Sequence, residues 1–242
     1  MAEEKRKGKF FVVATPIGNL KDITKRALQV FSDEKNFFSE DTRNTLKLFS
    51  AFGIEKSGKK FASLHQHSDK SNKLEQIRNI LESGENVVYT TDAGTPNISD
   101  PGDFVADLLN EGFEVVPIPG VSSLTAFLSS CGLSGQKFAF LGFLPKKGNL
   151  YKNFLELFKF VHTIIFFESP RRIKKVISKL KREFSNIDLN ISVGYEITKI
   201  HEKIIYSSLK NLDENKLSCK GEVIVGLSIS KRRKTWQNNL NF

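Results

Sequence analysis

The chain has 242 residues, 39% of them hydrophobic and 26% charged, and its formal net charge is +10. This length suits one large domain or two smaller ones, and 21 phenylalanines can fill packed cores, which excludes wholesale disorder. The two cysteines lie far apart and no stretch approaches the roughly 18 apolar residues of a membrane span, so the composition excludes disulfide-stapled and integral-membrane classes and favours a cytoplasmic protein.

The first half of the chain alternates short apolar strands, turns and helices. The patterns predict strands at 10–14, 36–39, 61–64, 86–91 and 113–117. Helices are predicted to begin at Asp22, Thr42, Asp69 and Ser99. Because strands that alternate with helices form parallel sheets, we expect an α/β domain here.

The second half begins near the Pro119-Gly120 pair and has a different pattern. It predicts helices at 121–131, 149–160 and 171–182, with strands at 138–143 and 163–167. Three further strands, at 190–195, 203–208 and 222–229, favour antiparallel pairing because short turns separate some of them. We therefore predict an N-terminal α/β domain over residues 1–119, a mixed α/β domain over 120–230 and a basic polar tail over 231–242.

Charge is divided unevenly between the halves. Residues 1–120 carry 16 basic and 18 acidic residues, whereas residues 121–242 carry 21 and 9. A strongly basic half is typical of contact with a polyanion such as RNA, although in a lysine-rich proteome the same excess would serve solubility. The densest basic segment, 140–182, has 11 basic residues against Glu156 and Glu168.

Three turns that contain glycine or proline follow strands of the first half, at 15–20, 91–100 and 117–123. In open parallel sheets ligands bind beyond the carboxyl ends of the strands, where bare backbone and helix N-termini are available. These turns lack both the Gly-x-Gly-x-x-Gly pattern and the P-loop pattern, so neither phosphate-binding device is expected. Asp92 lies at a strand end. Its position fits two roles equally well: it could accept a hydrogen bond from a ligand hydroxyl or amine, or it could cap its own turn.

Further polar clusters follow strands at 40–43, 65–67, 168–172 and 196–202. His65 and His67, two residues apart on a strand, point the same way, but no third ligand is identifiable and no metal site is predicted. Acid–arginine pairs at the junction of a strand and a helix occur as ion pairs and caps. The pattern alone does not decide whether these clusters have a structural role or face one shared cleft.

Seven segments occur in a characteristic order: VATPIGNL at 13–20, EDTR at 40–43, TDAGTPNISDPG at 91–102, PIPGVSS at 117–123, FLGFLP at 140–145, ESP at 168–170 and EITKIHE at 196–202. Together they resemble the ribosomal RNA small subunit methyltransferase I branch of the tetrapyrrole methylase superfamily. The resemblance spans residues 10–229. It departs from the usual family residues at Gln66, Ser68, Asp103, Arg171 and Tyr195.

The resemblance implies two α/β domains of the tetrapyrrole methylase type, with a mostly parallel N-terminal sheet, a mixed C-terminal sheet and S-adenosylmethionine (SAM) in a cleft between them. It implies methyl transfer to the ribose 2′-hydroxyl of a cytidine in the decoding region of 16S rRNA, within the 30S subunit. It also implies a homodimer. In-line methyl transfer from a sulfonium requires no metal, and the lack of a long apolar stretch gives no reason to expect a membrane partner. The cofactor-binding residues it implies are Pro16, Asp92, Gly94, Thr95, Ser122, Ser123 and Phe167.

For the general base and the ribose contacts we favour five polar residues without singling out the base: Glu40, Arg43, Glu168, Glu196 and Lys199. Lys199 would act as a base only if its pKa were depressed, which burial or nearby cations can produce. RNA contact is assigned to six cations of the basic half: Lys146, Lys147, Arg171, Arg172, Lys174 and Lys175.

Two other functions stay open. The same fold can methylate a small tetrapyrrole such as a corrin precursor, whose carboxylates would also suit a basic surface. Alternatively the chain is a non-enzymatic RNA-binding or assembly factor, which would need no SAM.

Overall fold

The computed structural model describes residues 6–64, 70–99, 102, 104–146 and 150–230, without the side chains of residues 70, 150 and 151. The chain divides into two compact units, Met1–Ser122 and Ser123–Phe242, and each contains one five-stranded sheet. Several predictions concern positions outside the described residues: His65, Gln66, His67, Ser68, Asp69, Asp103, Lys147 and the tail over 231–242.

The sheet of the first unit is wholly parallel, with strand order β3-β2-β4-β1-β5. Its strands are β1 (Lys9–Val13), β2 (Asn36–Ser39), β3 (Lys60–Ser63), β4 (Val87–Thr90) and β5 (Glu114–Ile118). Its helices are α1 (Lys25–Asp33), α2 (Thr42–Ala51), α3 (Lys70–Glu82) and α4 (Phe104–Asn110). The predicted parallel α/β character of this half is confirmed.

The core of the first unit lies on both faces of its sheet. Phe10 and Tyr89 pack with Phe104 of α4 in one apolar cluster, while Val88, the neighbour of Tyr89, belongs to the other cluster with Phe37. Successive side chains of a strand point to opposite faces, so the continuous apolar runs of β1 and β4 fill two layers at once. This burial fixes the sheet whose carboxyl edge carries the turns described below.

Two helices of the first unit begin later than predicted. The predicted start of α1 at Asp22 is wrong, because the Thr24 hydroxyl caps a helix that begins at Lys25 and residues Leu20–Asp22 form a separate 3-10 turn. The predicted start of α4 at Ser99 is also wrong. Ser99 has a φ of +68°, a left-handed conformation that cannot belong to a right-handed helix.

The sheet of the second unit is mixed, as predicted, with strand order β6-β7-β10-β8-β9. β6 and β7 are parallel, whereas β10 is antiparallel to both β7 and β8, and β8 is antiparallel to β9. The strands are β6 (Phe138–Phe143), β7 (Thr163–Glu168), β8 (Leu189–Tyr195), β9 (Lys203–Ser208) and β10 (Val223–Ile229). The helices are α5 (Ser123–Ser130), α6 (Leu150–Phe158) and α7 (Ile173–Glu183).

Helix α7 is amphipathic and covers the core of the second unit. Its buried face consists of Ile173, Val176, Ile177 and Leu180, which recur at helical spacing. The helix begins at Ile173 rather than at 171, because a turn precedes it. In the described part of the chain, none of the helices combines the length and apolar character that crossing a bilayer requires.

Candidate functional site

Two of the glycine and proline turns join directly at the carboxyl edge of the first sheet. Thr15, after β1, donates its backbone N–H to the Gly94 carbonyl at 2.9 Å, and Gly94 donates back to the Thr15 carbonyl at 3.0 Å. The Thr15 hydroxyl also donates to the Thr91 carbonyl at 3.3 Å. β1 and β4 are parallel neighbours, so their carboxyl ends emerge side by side and the bridge locks the turns together.

The third turn, after β5, packs against the same pair. A Cβ atom at Gly120 would lie 2.8 Å from the Cβ of Ala14, so only glycine permits this approach. The Thr95 hydroxyl donates to the Val121 carbonyl at 3.1 Å. The structure therefore brings together Thr95 and Gly94 of one turn and the Gly120 turn, all at one edge of the sheet.

The residues that follow β2 and β4 are joined at this edge by hydrogen bonds between carboxylates and backbone N–H groups. Asp92 accepts a hydrogen bond from the Asp41 backbone N–H at 3.1 Å, and its own N–H donates to Glu40 Oε2 at 3.5 Å. Asp92 is exposed, and it ties its turn to the turn after β2 instead of capping its own. Arg43 pairs with Asp41 at 2.6 Å, and its hydrogen bonds lower the pKa of that carboxyl to about 2.

A cavity of about 320 Å³ opens beside these turns. Its lining comes from the turns and from one side of α2: Thr15, Pro16, Leu20, Thr91 and Asp92, with Asn44, Thr45, Lys47, Leu48 and Ala51. The Thr91 hydroxyl is buried there and has no hydrogen-bond partner among the residues that the structure describes. Because a buried hydroxyl without a partner costs free energy, a ligand atom in the cavity would relieve that cost.

The α2 residues of this cavity were not among the sequence candidates. Asn44 and Lys47 are polar and lie one helical turn apart, and the Lys47 ammonium contacts the Asn44 side chain at 3.5 Å. In the sequence, Asn44 and Lys47 could be recognised as residues on the polar side of an amphipathic helix that follows the Glu40 cluster. Such a side is normally only solvated, so nothing in the spacing distinguishes it.

In the second unit, Glu196 and Lys199 form a cluster with Glu222, which the sequence analysis missed. Glu196 Oε1 accepts from the Glu222 backbone N–H at 2.6 Å and from Lys199 Nζ at 3.4 Å. Lys199 Nζ also lies 3.1 Å from Glu222 Oε2. Glu196 and Thr198 have φ values of +48° and +69°, so the segment that holds this cluster is strained.

The pKa values of this cluster separate the roles of its members. The Glu222 N–H and the nearby Lys199 ammonium lower the pKa of Glu196. Burial alone would lower the pKa of Lys199, but its bonds to Glu222 and Glu196 outweigh burial and raise it. The depressed pKa that a Lys199 base requires is therefore absent, and Lys199 is a fixed cation here.

Glu168 lies at the end of β7 and is only 2% exposed. Its Oε1 accepts from the Ser169 backbone N–H at 2.7 Å and lies 3.4 Å from Arg172 Nε. Its Oε2 is buried without a hydrogen-bond partner in the described part of the chain. The Arg172 guanidinium also donates to the Leu144 carbonyl at 3.4 Å, so it serves contacts within the unit and is not a freely presented RNA ligand.

The remaining candidate residues of the second unit are two proposed cofactor contacts and four of the assigned cations. Phe167 packs against Phe140 with ring centroids 4.9 Å apart, and Ser123 is the first residue of α5. Four of the assigned cations are exposed: Lys146, Arg171, Lys174 and Lys175. Tyr195, where the family often has arginine, is buried in the core, and burial raises its pKa to about 12.

The ends of β7 and β8 lie at one edge of the second sheet, because both strands pair antiparallel with β10. Glu168 and Tyr195 are both opposite Val223 in the register. Glu168 and the Glu196 cluster therefore share this edge. Within the described ranges, no group of three or more histidine, cysteine or acidic side chains is placed to hold a metal ion.

Sequence relationships decide between the families that share such a fold. The tetrapyrrole (corrin/porphyrin) methylase model matches residues 9–213. Ribosomal RNA small subunit methyltransferase I of Borrelia garinii subsp. bavariensis is 36% identical over 226 residues, which cover 91% of this chain and 98% of that protein. The chain belongs to the ribosomal RNA small subunit methyltransferase I family. The Thermotoga maritima member is 35% identical with the same two coverages.

Solved structures of other methyltransferases share this fold. The methyltransferase CobJ superimposes with a TM-score of 0.65 at 16% identity, over 94% of this chain and 96% of its own. Uroporphyrin-III C-methyltransferase from Thermus thermophilus, in complex with S-adenosyl homocysteine, gives 0.55 at 17% identity, over 91% and 97%. At these identities the likeness concerns the fold alone, and it agrees with the two α/β units described above.

Proposed function

We propose that this chain transfers the methyl group of SAM to the ribose 2′-hydroxyl of a cytidine in the decoding region of 16S rRNA, acting on the small ribosomal subunit. The observation that carries the proposal is the junction of the Thr15 and Gly94 turns beside the cavity, in a chain of this family. The assignment of rRNA as the substrate rests on the names of the relatives. The assignment of the cofactor class rests on the S-adenosyl homocysteine complex of the Thermus thermophilus enzyme.

The residues at the carboxyl edge of the first sheet fit such a cofactor. Bound SAM would supply an activated methyl group on a sulfonium. Gly94, with a φ of +85°, lets the turn bend back to Thr15 beside the cavity, exposed Asp92 can accept hydrogen bonds from a hydroxyl or an amine, and the Thr91 hydroxyl needs a partner. The proposed cofactor residues are Pro16, Asp92, Gly94, Thr95, Ser122, Ser123 and Phe167.

The chain's own residues must align the ribose oxygen and accept its proton. In-line displacement needs that oxygen about 3 Å from the methyl carbon, and a positioned base contributes on the order of 10²–10⁴-fold. Lys199, held as a cation by Glu196 and Glu222, is suited to stabilise negative charge on the substrate and not to take a proton. The base is therefore assigned to the carboxylates Glu40, Glu168 and Glu196, with Arg43 as a substrate contact.

RNA contact is proposed for the exposed cations of the second unit. Lys146 follows β6, Arg171 precedes α7, and Lys174 and Lys175 lie on the outer side of α7. Arg172 is reassigned from direct RNA contact to holding Glu168 and Leu144. The family resemblance also carries the expectation of a homodimer, which light scattering measures.

The direct test is methyl transfer from deuterium-labelled SAM to 30S subunits of a strain that lacks this protein. Mass spectrometry of 16S rRNA fragments should place the label on the ribose of one decoding-region cytidine. Label on uroporphyrinogen instead would support the tetrapyrrole alternative. A protein that fails to bind SAM in calorimetry, yet binds 30S subunits, would instead be an assembly factor.

A further inference from the structure

The end of β6 presents an exposed aromatic ring on a rigid support. Phe143 is 65% exposed, although it belongs to a strand of the mixed sheet. Its ring lies 5.5 Å from that of Phe167, which in turn packs edge-to-face on Phe140 at 4.9 Å. The three rings form a cluster of tilted and edge-to-face contacts in which only Phe143 is largely open to solvent.

A β-bulge directs Phe143 outward. Phe140 is opposite Ile165 and Phe143 is opposite Phe167, so β6 contains one more residue than β7 between these pairs. Gly142 occupies the bulge with a φ of +57°, a conformation that glycine adopts without strain. Bulges re-aim side chains and are frequent next to functional sites.

The residues after Phe143 are held in place from inside the unit. The Leu144 side chain is buried, and both terminal nitrogens of Arg172 lie 3.4 Å from the Leu144 carbonyl. Arg172 also contacts the buried carboxylate of Glu168. The anchor restrains the backbone next to Phe143 and the Phe167 ring packs against its side chain, so the strand end loses little backbone entropy when the ring binds a flat partner.

The surroundings of the ring are cationic. Lys146 is exposed three residues later, and the Arg172–Leu144 contact places the start of α7 at the end of β6. Three further exposed cations lie just before α7 or in its first turn: Arg171, Lys174 and Lys175. An aromatic face beside several exposed cations suits single-stranded nucleic acid, in which bases stack and phosphates pair with the cations.

Building on the proposed function, we propose that Phe143 is a stacking platform for an unstacked base of the RNA substrate, on a strand end that the Arg172 contact with the Leu144 carbonyl restrains. The ring would receive a base beside the target nucleotide, because a ribose can enter an enzyme site only where the strand is already unpaired or has been opened. This role concerns substrate binding and requires no contact with the cofactor.

The test measures kcat and KM for methyl transfer to unmodified 30S subunits, and SAM affinity by calorimetry. Loss of a stacked base costs on the order of tenfold in affinity, so Phe143→Ala and Phe143→Leu should each lower kcat/KM by about tenfold, while Phe143→Tyr retains it. Phe160→Ala is the matched control, because Phe160 is also an exposed phenylalanine of this unit, at 70%. It should leave kcat/KM unchanged, and neither Phe160→Ala nor Phe143→Leu, which keeps an apolar side chain against Phe167, should alter SAM affinity.

Four outcomes would overturn the assignment. Wild-type kcat/KM in Phe143→Leu would show that no base stacks there. Weaker SAM binding in Phe143→Leu, which keeps an apolar side chain against Phe167, would show that the ring contacts the cofactor, and a shift in oligomeric state in light scattering would show that it contacts a second copy of the chain. A wild-type protein that methylates no 30S subunits would overturn the proposed function itself, which the variants do not test.

Discussion

Gly221 and Glu196 approach so closely that any other residue at position 221 would displace the Glu196 side chain and strain the backbone. A Cβ atom there would lie 2.7 Å from Glu196 Cγ, and Gly221 also has a φ of +84°. The glycine thus lets the carboxylate lie against bare backbone, where Oε1 accepts the Glu222 N–H. The contact joins the segment after β8 to the start of β10 and orients the acid of the Glu196–Lys199–Glu222 cluster.

This contact predicts a pH-dependent contribution of Glu196 to stability. Its pKa in the folded protein lies below the ordinary 4.5, so the stabilisation is fully present above that pH and is lost as the pH falls through the folded value. Glu196→Gln should reduce the free energy of unfolding at pH 7, and the difference from wild type should narrow below pH 4.5. Urea unfolding at several pH values measures the difference in the free energy of unfolding between the variant and wild type. Glu156→Gln on α6 is the control, and its difference from wild type should not show this dependence on pH. If the free energies of unfolding of Glu196→Gln and wild type differ as much at the lowest pH as at pH 7, the ionised Glu196 carboxylate does not provide this stabilisation.

Lys199 is predicted to act through its charge. Lys199→Arg, which keeps a cation but cannot serve as a base at neutral pH, should retain most methyl transfer. Lys199→Met should lose roughly 10- to 100-fold in kcat/KM, the usual effect of losing a charged hydrogen bond. Steady-state methylation of 30S subunits measures both variants. If Lys199→Arg is as inactive as Lys199→Met, lysine chemistry beyond charge is required.

Gly94→Ala should destabilise the first unit and weaken SAM binding. Gly94 has a φ of +85°, and an added Cβ would lie 3.1 Å from Ile17 Cγ2. The left-handed conformation alone costs an alanine about 1–2 kcal/mol. Gly112→Ala is the control, because Gly112 has a φ of +76° but open space around its Cβ position.

Both variants should lower the free energy of unfolding, but only Gly94→Ala should also weaken SAM binding in calorimetry. Equal SAM affinity in the two would remove the Gly94 turn from the cofactor site.

Asp92→Asn should weaken SAM binding by roughly tenfold or more, since hydrogen bonds to a charged group contribute about 1.5–3 kcal/mol. The amide oxygen can still accept the Asp41 N–H, so the turn should keep its shape. Asp107→Asn, an exposed aspartate of α4, should bind SAM as wild type does. Calorimetry that finds Asp92→Asn equal to Asp107→Asn would exclude Asp92 from the site.

The exposed cations of α7 should set the salt dependence of RNA binding. Each phosphate contact adds about 0.7 to the slope of log affinity against log salt for single strands. Replacing Lys174 and Lys175 by glutamine should therefore lower the slope for 30S binding by about 1.4. The control replaces Lys25 and Arg26, an exposed pair of the first unit with the same total charge. An unchanged slope in the α7 variant, measured by filter binding, would place the RNA elsewhere.

Local sequence determined the two kinds of sheet and most of the elements. β6 and β9 have the predicted bounds, and the order of strands and helices follows from the periodicity of their apolar residues. The helix starts at Asp22 and Ser99 were wrong because a Thr24 cap and a left-handed Ser99 decide those boundaries. Caps and single dihedral angles are weak signals in a sequence, since several neighbouring residues fit the same pattern.

Tertiary structure alone decided which polar residues meet. Nothing in the spacing shows that Glu196 receives the Glu222 N–H, because the two are joined by the pairing of β8 with β10. Arg172 has the residue type of an RNA ligand, yet its guanidinium contacts Glu168 and the Leu144 carbonyl. A sequence lists charges and aromatic rings, whereas the register of non-adjacent strands sets which of them touch and which, like Phe143, stay open to a partner.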